Sequence, residues 1–436
     1  MYTDLHNHLY GCLPAETLFR IGKQNPNPRW EIYLDSFEKA YGIKINPKTF
    51  FDDYKDPNQF KKLYQFREKA PFLHFQAKFN LIIALVKFDE REIREVTSDV
   101  VFSQSLEDVS YSEYRLMFGK DEPKESFFAK LMASVEGLAL GEEKSKSNGK
   151  CINSRLAISL HRDKNYEQHY DWMKNWMVKD SILRKYLVGI DFCHIEEGFP
   201  VRDKLHFFNS VHKDNKSSPD SSLAILYHVG ESFRDKTPFS AVRWVLEAGL
   251  GGANRLGHAL ALGIDSDFFL GDERVETVSE ARAQVELELE ELDTISSFGP
   301  FYSKDELDEI RNGLEGKSDN ELVYTNFDST KSQYLHTFQN FAMSKLAKTN
   351  AVIECCPSSN LYIGMLEHHI DHPIQRFVQN DLKVTIASDD PGLFGTTLEE
   401  EYSHAHTAGL NSKTLESIRE TSFQYSSRRL CGCEFD

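Results

Sequence analysis

Positive charge is scarce in this sequence: 51 Lys plus Arg stand against 68 Asp plus Glu, a formal charge of −17. Such a balance repels phosphate backbones and anionic lipid surfaces, so neither a nucleic acid nor a membrane is expected as a partner. No run of about 18 apolar residues is present, which excludes an ordinary membrane-spanning helix. The opening MYTDLHNHLYG has neither a basic n-region nor an apolar h-region, and the expected location is the cytoplasm. The seven cysteines (Cys12, Cys151, Cys193, Cys355, Cys356, Cys431, Cys433) are odd in number and lack zinc-finger spacing. Free thiols in a reducing compartment are the expectation. No internal repeat is visible, and nothing in the sequence speaks to oligomeric state.

What is present is globular: 40% hydrophobic and 27% charged residues in a 436-residue chain, long enough to bury a sizeable core. Length alone suits either about three domains or one α/β barrel with insertions. Eight short apolar runs recur at long intervals: 3–9, 109–117, 156–160, 187–192, 224–228, 254–257, 351–354 and 384–388. LAISL, LVGID and LAILYH are nearly continuous in apolar character, as strands buried on both faces should be, and helix-like stretches separate them. Parallel βαβ units follow, closed as a (β/α)8 barrel or open as a doubly wound sheet. Two intervals exceed one crossover. Residues 10–108 predict several helices over the barrel mouth, and 265–335 predict an acidic helical insertion within a single domain spanning 1–436.

Chemistry concentrates at the ends of these runs. His6 and His8 lie two apart, so on a strand both imidazoles point to one side, the geometry of a bidentate metal site or simply of two polar residues. His228 ends the fifth run, with Glu231 three residues on after a Gly turn. His258 follows the sixth run. Asp389 and Asp390 follow the eighth, in a DDPG that is also a good turn sequence. A barrel would bring the ends of the first, fifth, sixth and eighth runs to the same mouth, where catalytic residues of such folds sit. Three neutral imidazoles and a carboxylate suit zinc better than calcium or magnesium. A water acidified by that ion would be the nucleophile.

In order along the chain, DLHNHL, LHFQAKF (73–79), SEYR (112–115), GIDFCHIEEGFP (189–200), HVGE (228–231), RLGHAL (255–260), CPSSN (356–360) and SDDPGLF (388–394) resemble the motifs of the adenosine deaminase family of metal-dependent amidohydrolases. The likeness lapses across roughly 265–335. It implies a (β/α)8 barrel with one zinc held by His6, His8, His228 and Asp389, and hydrolytic deamination of a 6-aminopurine nucleoside. It further implies that His258 orients and helps deprotonate the attacking water, that Glu231 protonates N1 of the purine, and that Asp390 bonds N7. Phe75 and Phe79 would wall the base, or simply pack in the core at their i, i+4 spacing.

Two departures bear on substrate. Tyr10 stands where the family commonly has an acidic residue near the nucleoside 5′-hydroxyl, and His194 stands where it usually has a Gly approaching N3. A substrate altered at the 5′ end or the exocyclic amine, a free base or another nucleoside fits these changes. An amidohydrolase acting on a non-purine compound and a non-catalytic relative are the alternatives. Glu196 reads as a supporting group behind the site, and Ser358 and Ser359 as helix caps. EHHIDHP from 367, and His404 with His406, read as solvated or packing groups.

Overall fold

The computed structural model describes residues 1–433. All eight runs form strands: β1 (Tyr2–His8), β2 (Val109–Met117), β3 (Asn153–Ser159), β4 (Leu187–Phe192), β5 (Ala224–Val229), β6 (Arg255–His258), β9 (Val352–Cys355) and β10 (Lys383–Ile386). They pair in parallel in the order β1-β2-β3-β4-β5-β6-β9-β10. The ring closes where His8 N–H donates to Asp389 O and Asp389 N–H donates to His6 O, both at 2.9 Å. The doubly wound alternative is thereby excluded, and the fold is a (β/α)8 barrel.

Helices form where apolar residues fall at helical spacing. Residues 10–108 hold six of them. One, Phe72–Leu85, buries Phe75 against Phe394, which follows β10, and so lies over the C-terminal mouth of the barrel. Near the middle of β1 the register with β2 shifts between Asp4 and Asn7. This bulge lets Asp4 and Asn7 both meet Ser388, at 2.5 and 2.8 Å, while His6 and His8 reach inward.

The segment between β6 and β9 is richer than the expected helical insertion. It carries helices Val278–Glu290, Leu292–Ser296, Lys304–Leu314 and Ser329–Leu346, together with an antiparallel pair, β7 (Glu273–Thr277) and β8 (Leu322–Asn326). Val278, Ala281, Val285, Leu307 and Leu314 form a core of their own there. Ser303 and Glu306 cap the Lys304–Leu314 helix reciprocally. Within this segment Glu288 is buried and accepts a hydrogen bond from Gln284 at 2.8 Å. Burial pushes its carboxyl up to about 8. A carboxyl raised in the folded state contributes stability at low pH and loses it as pH rises through the folded value. Glu288→Gln is therefore expected to leave stability unchanged near pH 4 and to unfold at a higher temperature than the parent at pH 8 and above, as thermal scans across that range will test.

The barrel interior below the mouth is filled with charge where bulky aliphatic layers are usual. Arg115 of β2 donates through Nη2 to both oxygens of Glu354 of β9, at 2.7 and 2.6 Å. Arg255 of β6 bridges Glu354 at 2.8 Å and Glu113 of β2 at 2.5 Å. Glu113 is closed off from beneath by the N–H and hydroxyl of Ser427, at 2.7 and 2.6 Å. Every member is fully or almost fully buried. Charges taken so far from water persist only when paired and hydrogen-bonded, which this ladder achieves.

Candidate active site

The ladder rises directly into a cluster of histidines. His6 donates from Nδ1 to Glu354 at 2.9 Å, and His228 donates from Nδ1 to Asp191 of β4 at 3.0 Å. Each imidazole is pinned on its outer nitrogen and turns Nε2 inward, where a neutral ring offers a lone pair. His6 Nε2 is buried and has no hydrogen-bond partner. His8 Nε2 lies 3.3 Å from His228 Nε2 and 3.3 Å from Asp389 Oδ1, and His6 Nε2 lies 3.5 Å from the same oxygen. Ligand atoms of His6, His8 and His228, and likewise of His6, His258 and Asp389, fall within 4.8 Å of one another. The donor facing this cluster from the ladder, Arg115 Nη1, stands 3.5 Å from His228 Nε2. Acceptors converging on acceptors repel unless a cation lies between them, and imidazole nitrogen with carboxylate is a donor set zinc accepts. The residues present fit the metal the sequence motifs imply.

Asp389 and His258 both hold left-handed backbones, φ 60° and 64°. Those conformations turn the side chains back over the mouth at some cost in strain. His258 Nε2 stands 3.5 Å from Glu231 Oε2. Gly230 makes the turn that presents Glu231, with φ 71° and with Val245 so close that a Cβ would lie 2.5 Å from it. Glu196 anchors this turn by accepting from the N–H groups of Gly230, Glu231 and Ser232 at 3.1, 3.3 and 3.2 Å.

The carboxyls separate electrostatically. Burial opposes ionisation of Asp389, but the imidazoles of His6 and then His8 beside it hold it well below the usual range. Burial and then the charge of Asp389 push Asp390 well above it. Enclosure in the cleft, followed by the charges of Asp389 and Glu196, raises Glu231 to about 8. A carboxylate held toward its ionised form, Asp389, thus sits beside two carboxyls, Glu231 and Asp390, pushed toward their acid forms.

Asp390 Oδ1 is buried without a partner, and a Cβ at Gly11 would lie 1.6 Å from it, so the Gly after Tyr10 is required for that carboxyl to fit. Phe75 stacks on Phe394 at 6.2 Å and meets Phe79 at 5.9 Å, next to Asp390, whose carbonyl accepts from Phe394 N–H at 2.9 Å. Tyr10 packs its ring against Phe88 at 5.1 Å. Its hydroxyl is buried, beside Glu92, and burial with that charge pushes it well above its ordinary value. His194 has φ 71°, a conformation that favours Gly, so it occupies a Gly-like backbone at some cost. Sequence reasoning assigned no role to Asp191, Glu354, Arg115, Asn360 or His372. Asp191 and Glu354 were visible as single charged residues inside otherwise apolar strands, whereas Arg115 shares the more polar β2 with Glu113.

The adenosine deaminase family model matches residues 336–428, the stretch holding CPSSN and SDDPGLF. An adenine deaminase of Rhizobium johnstonii is 34% identical over 83 residues, 19% of this chain and 26% of that protein. The chain thus aligns with about a quarter of the length of that curated relative. Among solved structures, the N6-methyl-AMP deaminase of Arabidopsis thaliana shares the fold at TM-score 0.55 with 17% identity, over 98% of this chain and 91% of that one. A cog1816 amidohydrolase from Burkhoderia ambifaria with bound Zn does so at TM-score 0.57 and 13% identity, over 98% and 85%. The family match lies on the strands and loops that supply Asp389, Asp390 and Asn360, so over residues 336–428 the chain is similar to the adenosine deaminase family, and its fold is shared with deaminases of known structure.

Proposed function

We propose that this protein is a metal-dependent deaminase that hydrolyses the 6-amino group of a purine compound to the 6-oxo product and ammonia. The observation that carries the reading is the converging set of imidazole nitrogens and Asp389 at the barrel mouth, with Glu231 and Asp390, two carboxyls pushed toward their acid forms, beside it. His6, His8, His228 and Asp389 would hold one zinc ion. When bound, that ion supplies an acidified water as nucleophile near neutral pH.

The rest of the chemistry belongs to side chains. Glu231 donates its proton to N1, which makes C6 electrophilic. Asp390, pushed toward its acid form, donates to the lone pair of N7 and fixes the ring over the site. The water adds its oxygen to C6, one of its protons restoring Glu231 and the other leaving with the amine as ammonia. Phe75 and Phe79 cover the base and exclude water. The named adenine deaminase and N6-methyl-AMP deaminase relatives support a 6-substituted purine as substrate class, with the acceptable sugar or phosphate set by the walls that Tyr10 and His194 reshape.

Ammonia release by the zinc-loaded protein, measured against adenosine, deoxyadenosine, adenine, AMP, 5′-methylthioadenosine, N6-methyl analogues and guanosine, tests this. Turnover is expected for at least one 6-substituted purine and not for guanosine. Silence across the panel with zinc bound would sink the reading in favour of a non-purine amidohydrolase, and silence without zinc affinity would point to a non-catalytic relative. His228→Ala removes a nitrogen from the converging set and is expected to lower zinc content after dialysis to a small fraction of the parent's. Parental zinc content would remove His228 from the ligand set.

A further inference from the structure

The outer nitrogen of His258 is not free. Asn360, fully buried in the CPSSN segment, places Nδ2 3.0 Å from His258 Nδ1. The Oδ1 of Asn360 lies 3.1 Å from Nε2 of His372, which is also buried. Nδ1 of His372 in turn accepts the backbone N–H of Ile374 at 3.1 Å.

The direction of this chain follows from its last link. A backbone N–H can only donate, so Nδ1 of His372 is an acceptor and the proton of the neutral ring is on Nε2. Burial, with His369 nearby, lowers His372 to about 3, so the ring is neutral. Its Nε2–H must then meet an acceptor, which assigns the near atom of Asn360 as Oδ1 and the far one as the amide nitrogen. Flipping the amide would set N–H against N–H at one end. The amide nitrogen can only donate, so Nδ1 of His258 accepts, and the proton of that imidazole sits on Nε2, the nitrogen facing the cleft.

We propose that Asn360 and His372 are positioning residues that lock His258 in the Nε2–H tautomer, making it a hydrogen-bond donor toward the reacting oxygen and toward Glu231. This deepens the deaminase reading and revises the role the family resemblance implies for His258, that of helping to deprotonate the attacking water. A nitrogen that already carries a proton cannot take another from the attacking water, so His258 stabilises negative charge on that oxygen, and the proton travels to Glu231 instead. The assignment rests on the deaminase reading only for its kinetic consequence.

The test is long-range proton–nitrogen correlation spectroscopy of the full-length, zinc-loaded protein carrying ¹⁵N-labelled histidine. The signals of His258 are identified by their loss in His258→Gln. The expected pattern has the proton on Nε2 in the parent. Asn360→Asp replaces the donating amide with a carboxylate that only accepts, and is expected to move that proton to Nδ1, leave zinc content unchanged and lower kcat about 10- to 100-fold, the range for groups that orient a site. His372→Gln places an amide N–H at similar reach and is expected to keep the Nε2–H pattern and most of kcat, whereas His372→Leu loses both. An Nδ1–H pattern in the parent, or an unaltered tautomer and kcat in Asn360→Asp, overturns the proposal. Should His372→Leu fail to fold, the parent spectrum and Asn360→Asp still decide. A parent inactive on every purine but showing the Nε2–H pattern refutes the deaminase reading and leaves the positioning chain standing.

Discussion

Glu231→Gln is expected to bind zinc as the parent does and to lose about 10²- to 10⁴-fold in kcat, the range that a positioned general acid contributes. The amide matches the carboxyl in shape and can donate a hydrogen bond, but it has no acidic proton to deliver to N1. The effect is large because the carboxyl is tuned for that single transfer. Enclosure in the cleft, then the charges of Asp389 and Glu196, holds it at about 8, so at neutral pH it stays in the acid form. The turn is held by three backbone N–H groups on Glu196, independent of the Glu231 side chain, so the substitution leaves its backbone in place. The acid form carries the reaction, so activity of the parent declines on the alkaline side, and Gln removes that limb together with most of the rate. Steady-state kinetics alongside metal analysis will settle it: parental kcat in a zinc-replete Glu231→Gln protein removes Glu231 from the proton path.

How much of this was readable before any coordinates depends on whether a residue acts through its neighbours in sequence or across the barrel. The eight strands were legible because strands buried on both faces must be apolar throughout, and LVGIDF or LAILYH has few other places to go. The ring of His6, His8, His228, His258 and Asp389 was legible because each sits at a strand end, and closure of a barrel makes strand ends neighbours. The β7–β8 pair was not. ERVET and LVYTN are short, half-polar and embedded in an acidic segment whose helical periodicity dominates, and only their mutual pairing makes strands of them. His372 was hidden for a different reason: in EHHIDHP it is one of three histidines in a polar stretch before a proline, a pattern that reads as solvated. Its burial and its reach to Asn360 come from the way the stretch folds back on the helix Pro357–Tyr362. Ser358 and Ser359 drew notice in the same CPSSN motif, whereas the residue that contacts His258 is the Asn behind them.

Arg115→Met is expected to damage both stability and metal binding, because one guanidinium supports both. Arg115 is 1% exposed, donates to both oxygens of Glu354 and lies 3.8 Å from Asp191. Methionine fills a similar volume and supplies no charge, leaving Asp191 without that counterion and Glu354 with Arg255 alone. Breaking a buried ion pair from one side costs about 3–5 kcal/mol, because the surviving carboxylates stay out of water. Both carboxyls lie well below their ordinary range in the folded protein: burial works against this, and the charges of His228 and Arg115 on Asp191, and of Arg115 and His6 on Glu354, outweigh it. A carboxyl depressed in the folded state contributes stability above its unfolded value, about 4, and loses it as pH falls below that. The parent therefore gains most from Arg115 at neutral pH, and the gap between parent and variant is expected to be widest at pH 7 and to narrow as pH falls through about 4. At neutral pH the two carboxyls in the variant are drawn toward their protonated forms, and a protonated Glu354 or Asp191 is a poorer acceptor for the Nδ1–H of His6 or His228. Both rings then lose the contact that aims Nε2 inward, and zinc affinity is expected to fall about 10- to 100-fold. Denaturant titrations at pH 7 and pH 4, paired with competition for zinc against a chelator, read the two effects separately. A variant that unfolds at the parental denaturant concentration and holds zinc equally well would show that the charged ladder neither stabilises the barrel nor aims its histidines.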